Sequence, residues 1–123
     1  MLYSILIYTP EDVVDAMTPE EEAAHVAKHL KLHEKLRAEG KLGPVARLMG
    51  TRTARQLHTK EGLVVDGPFA ETKEQLLGFY VVDVASEEEA MNIARQLPTV
   101  GTVFEVRPVK LFFPGNGLPA KTE

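Results

Sequence analysis

Three of the four histidines in this 123-residue chain are spaced four residues apart, and imidazole is well suited to moving protons near neutral pH. They are His25, His29 and His33, and this spacing places them on one stripe of a helix. Apolar residues flank the stripe on both sides, while lysines occupy the opposite side of the helix. We therefore expect the three imidazoles to face inward or to line the edge of a cleft.

Three roles for this stripe are open. Histidines at a boundary between a helix and a sheet can be structural, partly solvated and hydrogen-bonded. Alternatively, His29 is a general acid or base, because an unperturbed imidazole has a pKa of about 6.5. A metal site is the third possibility, but no carboxylate stands in the helical zinc pattern. We predict neither a metal nor a cofactor.

The second candidate element is the segment Asp66–Glu74, which reads DGPFAETKE between two runs of strand-forming residues. Its glycine and proline restrict the backbone, so the loop is expected to have a defined shape. The carboxylate of Asp66 would orient His29 and fix its tautomer. In the alternative, Asp66 only closes the turn by bonding to its own backbone, and Phe69 is a hydrophobic plug.

Cationic side chains near the strands could bind an anionic group of a substrate, because a guanidinium forms paired hydrogen bonds with a carboxylate or phosphate. We predict this role for Arg55 or Arg107, with Phe69 and Lys73 of the loop as further substrate contacts. The alternative for each arginine is solvent exposure or pairing with a glutamate. Two more arginines that could clamp an anionic group lie on or near predicted strands, Arg47 and Arg52. The chain has no phosphate-binding loop, dinucleotide fingerprint or nucleophile elbow.

The first elements needed to position these side chains are a strand and a long helix. Residues Leu2–Tyr8 are aromatic and branched, which predicts a largely buried strand followed by a loop. Thr18, the proline after it and Glu21 form the signature of a capping box, so a helix should begin there. It should end near Glu39, because Gly40 is a natural C-terminal cap.

The remaining elements are mostly strands. Between residues 43 and 65, branched residues alternate with turn formers, which predicts strands joined by a turn near residues 60–62. A longer strand is expected over Gly78–Val84. The second helix should begin after Ser86 and end before Pro98, and a last strand should cover Thr102–Phe113.

This order of elements is the split βαβ pattern of a ferredoxin-like α+β domain, βαββαβ, with an antiparallel sheet and two helices on one face. Some strands carry consecutive apolar residues, as in Phe79–Val82 and Leu111–Phe113, so the second face of the sheet needs a cover. We predict homodimerisation through that face.

Composition limits the classes of function. The length fits one domain, predicted over residues 1–113, with a mobile tail over 114–123. A net charge of −4 argues against a nucleic-acid partner, and the absence of cysteine excludes thiolate chemistry and disulfides. No stretch approaches membrane-spanning length, and Leu2–Tyr8 is too short for a signal sequence. These features predict no membrane partner and a cytoplasmic location.

The chain resembles the DGPF subgroup of the YCII-related family. Asp66–Glu74 followed by Gly78–Tyr80 is close to the signature of that subgroup, and Glu105–Val109 resembles its closing motif. Thr53–Arg55 is similar to a Thr-Val-Arg sequence that is usual in the family. Leu77 departs from the pattern, because a second glycine is common at that position.

The resemblance implies a ferredoxin-like fold related to dimeric α/β-barrel proteins, usually a homodimer with a cleft near the subunit interface. In the wider family the suspected catalytic unit is a helical histidine paired with an aspartate, and the matching positions here are His29 and Asp66. One relative dehalogenates a chlorinated hydroxyquinol, and DGPF proteins often accompany extracytoplasmic-function sigma factors.

Two functions follow from this. The first is a small cofactor-independent lyase or isomerase that acts on a compact polar or aromatic metabolite. The second is a non-catalytic, dimeric ligand-binding or regulatory module, in which the loop shapes an interface.

Overall fold

The computed structural model describes residues 1–123. Six strands and three helices follow one another along the chain. They are β1 (Leu2–Pro10), α1 (Glu11–Asp15), α2 (Pro19–Ala38), β2 (Leu42–Arg47), β3 (Arg55–His58), β4 (Leu63–Asp66), β5 (Glu74–Asp83), α3 (Glu87–Gln96) and β6 (Val103–Pro108). A single 3-10 turn covers Thr51–Thr53.

Four strands form the main sheet in the order β2-β5-β1-β6, and each neighbouring pair is antiparallel. With α2 after β1 and α3 after β5, this is the predicted ferredoxin-like α+β arrangement. β3 and β4 form a separate two-stranded hairpin between β2 and β5. The loop Asp66–Glu74 therefore connects the hairpin to the main sheet.

The core lies between one face of the main sheet and the helices α2 and α3. Ile5 of β1 stands opposite Tyr80 of β5, and both side chains are almost fully buried. Helix α2 covers them with Leu32 and Leu36, and α3 contributes Ala90, Ile93 and Ala94. Both helices therefore pack on the same face, as the sequence predicts. Partly buried residues on the opposite face include Leu6, Phe79 and Val81, and none of them belongs to the core.

Helix α2, which carries the histidine stripe, begins with the predicted capping box. The hydroxyl of Thr18 accepts a hydrogen bond from the backbone of Glu21, and the carboxylate of Glu21 accepts one from the backbone of Thr18, both at 3.1 Å. At the other end Gly40 has a φ of 69°, and the amide of Lys41 donates to the carbonyl of Leu36. This left-handed residue ends the helix where the sequence predicts.

Three boundaries differ from the sequence-based expectation. A short helix, α1, occupies the expected loop after β1. Strand β5 begins at Glu74, so the last residue of the loop motif is already in the sheet. Strand β6 ends at Pro108, and the prediction of a strand to Phe113 is wrong. The strand ends there because β1 offers almost no further residues to pair with. Pro108 pairs with Tyr3, and β1 begins one residue earlier, at Leu2.

The capping box gives a test of how α2 is held. Replacing Thr18 with alanine removes the acceptor for the amide of Glu21, so we expect the free energy of unfolding to fall by about 1 kcal/mol. Urea denaturation followed by circular dichroism measures this change. Thr18→Ser is the matched control, because it keeps the hydroxyl and should stay within a few tenths of a kcal/mol of wild type. Equal midpoints for Thr18→Ala and wild type would contradict the role of the cap.

Candidate functional site

A cavity of about 200 Å³ lies between α2 and the main sheet. Its floor comes from β1, β2 and β5, and one wall is the histidine stripe of α2. Helix α1 and the segment between α3 and β6 contribute the rest of the lining. The lining residues are Ile7, Thr9, Val14, Met17, His25, Val26, His29, Leu30, His33, Val45, Ala46, Arg47, Leu77, Gly78, Tyr80, Pro98, Val100 and Thr102.

The floor of the cavity depends on an irregularity in β5. Ile7 pairs with Gly78 but Tyr8 pairs with Leu76, which leaves Leu77 as an extra residue, a β-bulge. Leu77 and Gly78 consequently both line the cavity although they are consecutive. A Cβ atom on Gly78 would lie 2.8 Å from the carbonyl oxygen of Ala46, so β2 can pair closely here only because residue 78 has no side chain.

The hydroxyl of Tyr80 is the centre of the polar part of the site. It lies 2.7 Å from Nδ1 of His29 and 2.5 Å from Nε2 of His33. The tyrosine residue is only 1% exposed, and its ring stacks on His29 with the ring centroids 5.8 Å apart. Burial also raises the pKa of Tyr80, so its hydroxyl keeps its proton near neutral pH.

One hydroxyl proton shared with two imidazoles couples their tautomers. When Tyr80 donates to His33, His29 must donate its own Nδ1–H to the tyrosine oxygen, because two facing lone pairs would repel. Nε2 of His29 is then an unprotonated base. When Tyr80 donates to His29 instead, Nε2 of His29 carries the proton. The three side chains therefore form a chain along which a proton can move.

Nε2 of His29 is free of protein partners. It has no hydrogen-bond partner, whereas every buried side-chain nitrogen or oxygen in the structure has one. This nitrogen is therefore accessible, and His29 lines the cavity. The same reasoning leaves Nδ1 of His33 accessible, because only its Nε2 is bonded.

The surroundings keep these histidines neutral. Burial is the main cause that lowers the pKa of His29, from its ordinary value of 6.5 to about 4, and the nearby His25, His33 and Arg47 lower it further. Burial also lowers the pKa values of His25 and His33. At neutral pH the imidazole of His29 is thus available to accept a proton.

Arg47, at the end of β2, is the only permanently charged residue of the lining. Its guanidinium donates two hydrogen bonds to the carboxylate of Glu22 on α2, one of them 3.2 Å long between Nη2 and Oε2. This arginine holds the pKa of the Glu22 carboxyl below its usual value. Both side chains are partly exposed, 52% for the arginine and 38% for the glutamate.

The loop residues predicted for the site do not line this cavity. Asp66 is at the end of β4 with its side chain 86% exposed, and its carboxylate lies 3.8 Å from Nε of Arg55. No hydrogen bond joins Asp66 to His29, whose bonding partner is Tyr80. Phe69 is 87% exposed, and Lys73 is exposed as well. A catalytic role for Asp66 and substrate contacts by Phe69 and Lys73 stay predictions.

The arginines predicted to bind a substrate are also outside the cavity lining. Arg55 is on the hairpin beside Asp66, and Arg107 on β6 lies 3.8 Å from Glu105 of the same strand. The residue for which the sequence predicted no role at the site is Tyr80, whereas Arg47 was among the four arginines considered for an anion and lines the cavity. The alternation of side chains along the strand from Gly78 could have placed Tyr80 on the inner face of the sheet. Glu22 lies one helical turn before His25, on the side of α2 that Arg47 contacts.

No group of three or more histidine and acidic side chains in the structure is arranged to hold a metal ion. Two of the stripe histidines already direct a ring nitrogen to Tyr80.

The sequence model of the YCII-related domain matches residues 1–113. This chain belongs to the YCII-related family. An uncharacterized protein of Rhizobium meliloti (strain 1021) is similar to this YCII-related protein, with 47% identity over 122 residues, which cover 94% of this chain and 98% of the relative. None of the helices of this YCII-related protein combines the length and the apolar character that a membrane crossing requires.

The lowered pKa of His29 predicts how stability depends on pH. Between about pH 4 and pH 6.5 the unfolded chain binds more protons at this imidazole than the folded one, so stability should rise with pH and level off above 6.5. His25 and His33 are shifted in the same direction and add to the slope. Urea midpoints across this range, with an NMR titration of the imidazoles, measure both effects.

His29→Gln is the control for this prediction, because glutamine does not titrate. The variant should lose part of the acid-side slope that wild type shows. An imidazole of His29 that titrates at or above its ordinary value of 6.5 in the folded protein would contradict the assignment.

Proposed function

We propose that this YCII-related protein is a small cofactor-independent enzyme of the lyase or isomerase type, in which His29 moves a proton of a metabolite bound in the cavity. The observation that carries the proposal is the pair of hydrogen bonds that join the hydroxyl of Tyr80 to His29 and to His33, at 2.7 and 2.5 Å. This arrangement fixes one nitrogen of His29 and leaves the other free of protein partners.

The proposed reaction begins with Nε2 of His29 as a general base. It removes a proton from a carbon next to a carbonyl or carboxyl group of the substrate, and the electron pair stays on the substrate. The product forms when a proton returns at another carbon, or when a leaving group departs. At neutral pH the imidazole is unprotonated and can accept this proton, and its lowered pKa makes it a weaker base than a free histidine.

The second histidine can take over the positive charge of His29, while the proton removed from the substrate stays on Nε2 of His29. Once Nε2 of His29 is protonated, the Nδ1 proton can pass to the oxygen of Tyr80 while the hydroxyl proton passes to Nε2 of His33. His29 is then neutral again and His33 carries the charge. Its accessible Nδ1 can release a proton to solvent. In this proposal Tyr80 orients His29, the role that the sequence analysis gave to Asp66.

We also propose that the protein acts as a homodimer of the dimeric α/β-barrel type. Leu6, Phe79 and Val81 lie on the sheet face that does not carry the core. The hairpin exposes a further apolar row that includes Leu57 and Val64, at 64% and 62% exposure. Apolar surface of this extent favours a protein partner, and a second copy is the simplest one.

This exposed hairpin also supports a second candidate function, a non-catalytic dimeric ligand-binding or regulatory module. In that case the cavity binds its ligand without altering it, and the Asp66–Glu74 loop belongs to an interface. The two candidates differ in one measurable respect, which is whether a bound compound exchanges a carbon-bound proton with solvent.

Deuterium exchange tests the enzymatic proposal without knowledge of the product. The protein is incubated with pools of small metabolites in D2O, and NMR detects carbon-bound protons that are lost from individual compounds. We expect wild type to catalyse exchange in at least one class of compound and His29→Gln to be slower by about 10²- to 10⁴-fold, the usual contribution of a general base.

A thermal-shift screen with the same compounds supplies the control, because binding raises stability by mass action. His29→Gln should still bind the compound that wild type exchanges. Binding of the same compounds by both proteins, with no exchange by wild type in any pool, would reject the enzyme and support the binding module.

The relay through Tyr80 gives a separate expectation. His33→Ala should slow exchange by roughly 10-fold, because Tyr80 then lacks His33 as an acceptor and donates to Nδ1 of His29, which places a proton on Nε2 and blocks the base. This effect is smaller than loss of the base itself. Added imidazole should restore the rate, which a purely structural defect would not allow. Tyr80→Phe should slow exchange without weakening binding. Unchanged exchange rates in both variants would contradict the relay.

A further inference from the structure

The charges of the cavity lining indicate what kind of molecule it accepts. None of the lining residues is acidic, whereas Arg47 and three histidines are potential cations. Ten of the 18 lining residues are hydrophobic. We propose that the ligand is a small molecule with an apolar body and one carboxylate or similar planar anion, and that Arg47 binds this anion. The inference rests on the proposed function of the cavity as a small-molecule site.

The ion pair with Glu22 shows how Arg47 would bind such a group. The guanidinium presents two nitrogens to the two oxygens of the Glu22 carboxylate, the paired geometry in which arginine recognises planar anions. Glu22 itself does not line the cavity, whereas Arg47 does. A ligand carboxylate can therefore replace or share the hydrogen bonds that Glu22 now receives.

Exchange of one carboxylate for another is feasible because the pair is open to water. The side chains of Arg47 and Glu22 are 52% and 38% exposed, and exposed ion pairs hold each other weakly. A ligand that also buries an apolar body in the cavity gains stabilisation that Glu22 does not provide. The glutamate thus keeps the arginine oriented when the ligand is absent.

The number of charges on the ligand follows from the histidines. Their pKa values are lowered, so at neutral pH Arg47 is the one full positive charge of the lining. A monoanion matches this charge, whereas a dianion would leave one charge without a partner in a largely apolar cavity. A cationic ligand would lie beside Arg47 without any lining carboxylate.

The position of Arg47 connects the anion to the proposed chemistry. Its positive charge lowers the pKa values of both His25 and His29, so it lies within electrostatic reach of the base. It also pairs in the sheet with Gly78, next to the cavity floor. An anion bound at Arg47 therefore lies where β2 meets the first turns of α2, within the electrostatic reach of His29.

Binding of matched probes tests this inference without turnover. Hexanoate and phenylacetate are titrated into the full-length protein by calorimetry, and their neutral counterparts hexanamide and phenylacetamide are titrated in parallel. We expect the carboxylates to bind roughly 10- to 100-fold more tightly than the amides, the range for a hydrogen-bonded pair with a charged group.

Three variants locate the effect. Arg47→Gln should remove the preference for carboxylates while the amides bind as they do to wild type. Glu22→Gln should bind carboxylates more tightly, because the competing carboxylate is gone and the arginine keeps its charge. Arg95→Gln is the matched control, since this exposed arginine also pairs with a glutamate, Glu88, and lies outside the cavity lining, so its loss should change nothing. Circular dichroism establishes that each variant is folded.

Several results would overturn the inference. They are equal binding of amides and carboxylates, an unchanged preference in Arg47→Gln, weaker carboxylate binding in Glu22→Gln, or no binding of any of the four probes by wild type. A preference for carboxylates together with no deuterium exchange in any pool would support the anion site and reject proton transfer. Deuterium exchange of uncharged compounds alone would support proton transfer and reject the anion site.

Discussion

The buried hydroxyl of Tyr80 is the constraint on which the rest of the site depends. A polar group in the middle of a central strand costs free energy unless it is hydrogen-bonded. Here the partners come from α2, and they are two imidazoles one helical turn apart. This contact fixes both the height and the rotation of α2 over the sheet, because only one position of the helix brings both rings to the same oxygen. Packing of Leu32 and Leu36 into the core agrees with that position.

The cavity beside this contact has an apolar inner part beneath α2 and a polar edge that is open to solvent. Beneath α2, the rings of His29 and Tyr80 stack and exclude water, which keeps His29 neutral. At the edge, Arg47 and Glu22 retain their charges because they are still partly solvated. A neutral imidazole and a charged arginine thus line one small cavity, although their requirements for solvation are opposite. Their different depths in the fold resolve this conflict.

Much of this fold could be predicted from local signals. The capping residues of α2, the glycine that ends it and the order of the elements all act over a few residues, so the sequence displays them directly. The histidine stripe was visible for the same reason. The partner of His29 was not, since the bond to Tyr80 spans 51 positions and depends on how α2 lies across β5. Asp66 was the conspicuous carboxylate, but the hairpin that carries it places it beside Arg55. The length of β6 likewise depended on where β1 begins, which no local pattern in β6 contains.

The bulge at Leu77 divides β5 into two parts that alternate independently. After it, Gly78 and Tyr80 face α2 because the core requires that frame, whereas before it the residues from Glu74 to Leu76 pair with Pro10 to Tyr8 of β1 in a frame shifted by one residue. A one-residue change in the register of this first part of β5 can be absorbed at the irregularity, so Tyr80 keeps its direction. The loop before β5, and any surface that it forms, is therefore not tied to the hydroxyl between the two histidines.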